Sequence, residues 1–254
     1  MLELYHSGNT TCSKQVRQHL NEKGVPYVSR YIELWSYQNL TPEYLKLNPN
    51  GVVPTLVHDG NAIINSFCIM EYIEDVFPHN PLRPADPVAR AKQRLWSWLA
   101  DDVHPTVANA TYNQQMRNRH KDMDRDTVAR VLSMMPVPER RERFRRTTGE
   151  GYTAQELEAA WERIGFVLGR FDQALDPGPW ICGTFYSIGD VAMLAIVERV
   201  RELRPELIAP SRLPRVAAWH GHSMARQAVK KVYALDTDET PRRPAAGFAM
   251  RASA

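Results

Sequence analysis

Four neighbouring residues, Thr10, Thr11, Cys12 and Ser13, each carry a hydroxyl or a thiol, just where a segment with helical spacing begins. At a helix N-terminus the unpaired backbone N–H groups and the helix dipole favour negative charge. A thiol held there ionises more readily, whether it belongs to a protein cysteine or to a bound ligand. The plainer use of these residues is capping, with Ser13 or Thr11 as an N-cap; on this loop taken alone, capping leads. A second feature is Val53 followed by Pro54, just after the turn Asn48, Pro49, Asn50, Gly51. Proline at the head of a buried strand removes a ladder donor. A cis bond would account for it and would present the Val53 backbone N–H and C=O to a ligand's peptide bond; an edge-strand proline with a trans bond is the alternative. The third feature is Asn65 with Ser66, before another helical segment. Ser66 is expected to cap that helix, and the same N–H cluster suits a carboxylate.

The elements that must position these groups follow from hydrophobic periodicity. Residues 2–5 read as a short buried strand and 7–11 as a polar loop. Residues 13–23 have helical spacing, with Val16 and Leu20 on one face and Gly24 as a C′ stop. Residues 27–32 are β-rich, and a short helix is expected near 41–46 with Pro42 in its first turn. Residues 52–57, the pair Asp59 and Gly60, and 62–64 form a hairpin signal. A helix then runs from Ser66 to about Val76. The order β-α-β-α-β-β-α pairs the first strands in parallel and ends in an antiparallel hairpin. Beyond Pro87 the periodicity is helical. The expected organisation is an α/β domain at 1–78, a proline-rich linker at 79–87, an all-helical domain at 88–235 and a partly ordered tail at 236–254.

A chain of 254 residues is long enough for two small cores. Its net charge of +3 is spread along the chain, which argues against a nucleic-acid partner. The dense run Glu139, Arg140, Arg141, Glu142, Arg143, Phe144, Arg145, Arg146 reads as a solvated helix face. Cys12, Cys68 and Cys182 fit neither a zinc site nor a CxxC pair, so no metal is expected. Sparse free cysteines suit a reducing compartment. With no signal-peptide pattern and no apolar run of membrane-spanning length, a cytoplasmic protein without membrane contact is expected.

Together these features resemble the glutathione transferase superfamily. The stretch 42–56, Pro-Glu-Tyr-Leu-Lys-Leu-Asn-Pro-Asn-Gly-Val-Val-Pro-Thr-Leu, is close to that superfamily's N-domain signature. The resemblance implies an α/β thioredoxin-like N-terminal domain, an all-α C-terminal domain and glutathione as co-substrate. It implies that Asn65 and Ser66 grip the γ-glutamyl group. The Val53 backbone, beside a cis Pro54, would pair with the glutathione cysteine, and Asn39 would contact the glycyl end. Ser187, Ile188, Gly189 and Asp190 resemble the family's structural capping box in the C-domain. A homodimer is implied, with a heterodimer left open.

A narrower resemblance, at 71–78, 82–87, 136–139 and 144–146, is to the β(S)-selective type of bacterial lignin β-etherase, with 113–152 as the distinctive segment. It implies that a glutathione thiolate displaces a phenolate from a carbon α to a ketone in a small aromatic ether. The catalytic loop departs from that group, which has an Asn-Ser pair at Cys12 and Ser13. Ser13 therefore matches the serine that assists the thiolate. Other classes place a cysteine at Cys12 or the active hydroxyl at Thr10 or Thr11. Four residues compete, ranked Ser13, then Cys12 and Thr11. Trp96, Trp98, Tyr112, Phe144 and Trp161 are candidates for an aryl pocket, a minority of them expected to reach it. His104 could meet an aryl oxygen but is more simply structural. The competing readings are a general detoxifying transferase, a thiol-dependent isomerase or deglutathionylase, and a non-catalytic partner subunit.

Overall fold

In β1 (Leu2–His6) buried Leu2 and Leu4 alternate with half-buried Glu3 and Tyr5, the period-two pattern of a strand with one face on a core. The computed structural model describes residues 1–176 and 178–238. β1 pairs in parallel with β2 (Val28–Tyr31) and antiparallel with β3 (Thr55–His58), which pairs antiparallel with β4 (Asn61–Ile64). The sheet order is β2-β1-β3-β4. β3 starts just after Pro54, which has no N–H to give a ladder, and the Val53–Pro54 bond is cis. Asp59 and Gly60, with φ of +47° and +83°, make the two-residue hairpin turn.

Three α-helices and two short 3-10 turns complete this half among the described residues. α1 (Thr11–Lys23) starts earlier than its apolar spacing suggests and stops at Gly24, where φ is +68°. α2 (Pro42–Leu47) is capped by the Thr41 hydroxyl. α3 (Ser66–Val76) is capped by Asn65, not by Ser66 as the sequence suggested. Asn65 Oδ1 accepts from the N–H groups of Phe67 at 2.9 Å and Cys68 at 3.3 Å. This needs a φ of +69°, which asparagine tolerates better than most residues.

The second half is helical: α4 (Pro87–Thr111), a π-turn (Tyr112–Met116), α5 (Arg117–His120), α6 (Arg125–Met134), α7 (Pro138–Thr148), α8 (Ala154–Ala174), α9 (Ile188–Leu203), α10 (Pro214–Met224) and α11 (Gln227–Asp238). Residues 236–238 thus finish α11; the rest of the expected tail lies outside the described residues. α9 is buried along almost its whole length, packed against α4 and α1. Its start is fixed by the fully buried Asp190. One carboxylate oxygen accepts from the Ser187 N–H and hydroxyl at 2.9 and 2.8 Å, the other from Ile181 N–H and Trp219 Nε1 at 2.9 Å each. Among the described residues no helix is long and apolar enough to cross a membrane, and no group of His, Cys, Asp and Glu could hold a metal ion.

α1 and α3 are joined by a buried charge cluster. Glu74 lies 2.8 Å from His19 Nε2 and 2.9 Å from Lys23 Nζ, and it accepts from the Leu82 N–H at 3.2 Å. Lys23 also donates to the His79 carbonyl at 3.0 Å, so the cluster ties the interdomain segment to the first domain. Burial alone would raise the Glu74 pKa; hydrogen bonds and charge from His19 and Lys23 outweigh it and hold the carboxylate below its ordinary range. Removing one partner of a buried pair leaves an uncompensated charge. Glu74→Gln is therefore expected to cost about 3–5 kcal/mol, read as a lower urea midpoint at unchanged slope. The Glu74→Gln, Lys23→Met double variant is expected to recover part of that loss.

Candidate active site

α1 meets the junction of the two halves with its N-terminus. Thr10 occupies the N-cap position, but its side chain makes no capping bond. Its Oγ1 lies 2.6 Å from Ser13 Oγ and 3.2 Å from the Ser7 carbonyl oxygen, and Ser7 N–H donates to Ser13 Oγ at 3.4 Å. Ser13 is fully buried with its hydroxyl engaged inside the loop. Thr10, Thr11 and Cys12 instead line a cavity of about 790 Å³. Of the three ranked residues, the structure therefore puts Cys12 and Thr11 on the cavity wall and Ser13 behind it.

Asn39 and Val53 form another wall. Asn39 Nδ2 donates to the Gly51 carbonyl at 2.7 Å, while its buried Oδ1 has no partner among the described residues. Gly51 has φ +59°, and a Cβ there would come within 2.8 Å of Leu40 Cδ2 and 3.2 Å of the Asn39 carbonyl. Tyr44 and Asn48 fix the turn by donating to the Val52 carbonyl at 2.6 and 2.9 Å. Pro54 does not line the cavity, and neither do Asn65 and Ser66. Asn65 Nδ2 reaches both Asp101 carboxylate oxygens at 3.4 Å. Ser66, buried in the first turn of α3, hydrogen-bonds the Cys12 side chain.

His104 of α4 lines the cavity with Nε2 3.6 Å from Cys12 Sγ. Despite the helix N-terminus, the Cys12 thiol is pushed up to about 11. Burial is the main cause and Asp101 adds to it; the Ser66 bond and Arg140 pull the other way. His104 is pulled down to about 4 by burial first and then by Arg143, with Arg140 and Arg199 adding and Asp101 opposing. At neutral pH the pair is a thiol beside a neutral imidazole.

The far wall comes from the segment between α4 and α8. Leu40, Val131 and Phe144 make a small core of their own, with Tyr37 and Met135 packed on it. Tyr37 stacks edge-on against Phe144 at 6.4 Å between ring centres. Of the five candidate aromatics, Tyr112 and Phe144 line the cavity, Trp96 and Trp161 are core, and Trp98 is exposed. The run at 139–146 is not simply a solvated face. Arg145 is exposed, but Arg140 and Arg143 turn into the cavity and Phe144 is buried. With Arg119 and Arg199 they give the cavity four guanidinium groups, and among the described residues no carboxylate side chain lines it. Charge density in the run was visible in the sequence; which turn of α7 faces inward was not, because burial of Phe144 sets it.

The neutral pair has a chemical consequence. With a pKa of about 11 the Cys12 thiolate fraction at pH 7 is on the order of 10⁻⁴. Iodoacetamide at neutral pH is expected to modify exposed Cys68 and spare Cys12, with Cys12 becoming reactive only as pH approaches 11. Peptide mass spectrometry across a pH series reads this, and equal rates at pH 7 would contradict the neutral pair.

Family models match both halves: glutathione S-transferase N-terminal domain over residues 11–76 and glutathione S-transferase C-terminal domain over 154–222. Protein LigF of Sphingobium sp. (strain NBRC 103272 / SYK-6) is 28% identical over 241 residues, covering 91% of this chain and 93% of that protein. The crystal structure of β-etherase LigF from Sphingobium sp. strain SYK-6 superposes with a TM-score of 0.86 at 27% identity, over 92% of this chain and 98% of that one. Glutathione S-transferase 1 of Dianthus caryophyllus is 42% identical over 90 residues, 35% of this chain and 41% of that protein. Glutathione transferase F7 of Populus trichocarpa shares the fold at a TM-score of 0.71 and 21% identity, over 94% of this chain and all of that one. By its two matched domains and its fold, this chain belongs to the glutathione S-transferase family.

Proposed function

We propose that the chain cleaves β-aryl ethers of lignin-derived aromatic ketones with glutathione, giving a glutathione thioether and a phenol. The observation that carries this reading is the cavity itself. One wall is the N-terminus of α1 with Thr10, Thr11 and Cys12, a second is Val53 with Asn39, and the third is an aromatic, arginine-rich wall from the π-turn and α7. The orphaned Asn39 Oδ1 and the N-terminus of α1 fit the amide and thiol groups of a tripeptide thiol. The likeness to LigF supports the etherase subtype because it runs through the 113–152 segment that builds the third wall.

Glutathione supplies the sulfur nucleophile. In this reading Val53, beside Pro54, pairs with its cysteine, Asn39 contacts its glycyl end, and Asn65 and Ser66 hold its γ-glutamyl end. The N–H groups of Thr11 and Cys12 face the thiolate, and the neutral Cys12 thiol is an added donor. Ser13 acts indirectly, by fixing Thr10 and the loop. The ketone beside the reacting carbon activates it for displacement, and phenolate is a competent leaving group with a pKa near 10.

The test is glutathione-dependent phenol release from separated enantiomers of a β-aryl ether ketone, run beside a chlorinated aromatic. Cys12→Ala is expected to lose about 10–100-fold in turnover, the worth of one hydrogen bond to a charged group. Cys12→Ser is expected to keep most activity, and Ser13→Ala to lose less than Cys12→Ala. A stable mixed disulfide between Cys12 and glutathione would point instead to deglutathionylation.

The partner reading is a homodimer. Val88, Leu95 and Trp98 form one exposed apolar stripe on α4, with Phe166 exposed on α8. Trp98→Glu is expected to shift the mass by light scattering from dimer to monomer. Assembly with a different subunit would leave the purified chain monomeric before the substitution.

A further inference from the structure

The third wall carries more positive charge than the proposed reaction has so far used. Three of the cavity's four guanidinium groups are already engaged. Arg199 bonds Glu202 at 2.7 Å and the Asn9 carbonyl at 2.7 Å. Arg143 Nε donates to Asn109 Oδ1 at 2.7 Å, with its guanidinium 5.5 Å from the Tyr112 ring centre. Arg119 lies 4.7 Å over the Trp35 ring. The side chain of Arg140, half-buried on α7, makes no hydrogen bond or ion pair among the described residues. Its charge acts on Cys12 of α1 and His104 of α4, which share the cavity with it, and on Tyr44 of α2. A half-buried cation in a cavity with no carboxylate among its described lining residues suits an anionic ligand. The aromatic side chains Tyr37, Tyr112 and Phe144 share that wall, so the anion it suits is an oxyanion carried on an aromatic ring.

We propose that Arg140 is a catalytic residue that binds the departing aryl oxygen as phenolate. This deepens the ether-cleavage reading and rests on it. The carbon–sulfur bond to glutathione forms as the carbon–oxygen bond breaks. The electron pair of the broken bond leaves on the aryl oxygen, and Arg140 neutralises that charge as it develops. The thiol proton has already gone to solvent, and no oxidant or reductant is needed.

Two measurements test it. In the first, turnover is followed across β-aryl ethers that differ only in the acidity of the phenol released. Arg140→Gln is expected to lose about 100-fold with a leaving phenol of pKa near 10, and much less with the more acidic 4-nitrophenol. Arg140→Lys, which keeps the charge, is expected to retain most of the activity. An equal loss for all leaving groups would overturn the proposal. So would a weaker glutathione affinity by calorimetry, or a weaker ultraviolet thiolate band of bound glutathione, with the leaving-group dependence unchanged; each assigns Arg140 to glutathione. The second uses 4-nitrophenol as a ligand, without turnover. In the glutathione-loaded wild-type protein its ionisation midpoint is expected to fall by about 1–3 pH units, and Arg140→Gln is expected to abolish the shift. Absence of a wild-type shift overturns the proposal. A shift that depends on Arg140, in a protein that cleaves no ether, keeps the phenolate site and rejects the etherase reading.

Discussion

Helix α1 is buried at ten of its thirteen positions, yet only Val16 and Leu20 among those ten are apolar. Eight buried polar residues must find partners or cost roughly 1–3 kcal/mol each. The partners come from every side. Gln15 donates to the Ala192 carbonyl of α9 at 2.9 Å, and Gln18 to the Tyr186 hydroxyl at 2.6 Å. Arg17 donates to the Gly8 carbonyl, and His19 and Lys23 share Glu74 on α3. These bonds run to both halves of the molecule, so α1 cannot turn or slide without breaking several of them. The constraint aims its N-terminus, with the open N–H groups, at the cavity.

The wall facing that N-terminus is held much more lightly. Its buried apolar core is Leu40, Val131 and Phe144, set against the long continuous core that unites the sheet, α4, α8 and α9. Less apolar burial means a lower free energy of local opening. Under the proposed reaction, one rigid wall would keep the sulfur-binding end fixed while the lightly held wall admits a bulky aromatic molecule.

Much of the frame was legible in the sequence, because short-range rules set it. The Asp59–Gly60 turn, the Gly24 stop, Pro42 in the first turn of α2 and the Ser187 to Asp190 cap all depend on local backbone chemistry. What was not legible depends on competition between neighbours or on distant burial. Asn65 and Ser66 can both cap α3, and Asn65 wins by reaching two N–H groups while leaving the Ser66 hydroxyl for Cys12. Ser13 matches a serine associated with catalysis, but here the Thr10 side chain and the Ser7 N–H take up its oxygen. Arg140 and Arg143 looked like surface charge because nothing in their own spacing says that Phe144 is anchored to Leu40 and Tyr37 across the cavity.

The state of Cys12 shows how two opposing effects divide the chemistry. A helix N-terminus stabilises a nearby anion by about 0.3–1 kcal/mol, and by about 2 in favourable geometry. Desolvation can move a buried group by several pKa units, at about 1.4 kcal/mol each. At Cys12, enclosed by Ser66 and His104, desolvation wins and the sulfur stays protonated. A second sulfur placed in the cavity itself would meet the same N–H groups with less burial, and it would face the guanidinium groups of the opposite wall. The helix N-terminus and the arginines would then act on the incoming sulfur and the outgoing oxygen, while the protein's own sulfur is held neutral as a donor. That ordering favours transfer of a thiol to a small electrophile over chemistry on Cys12 itself.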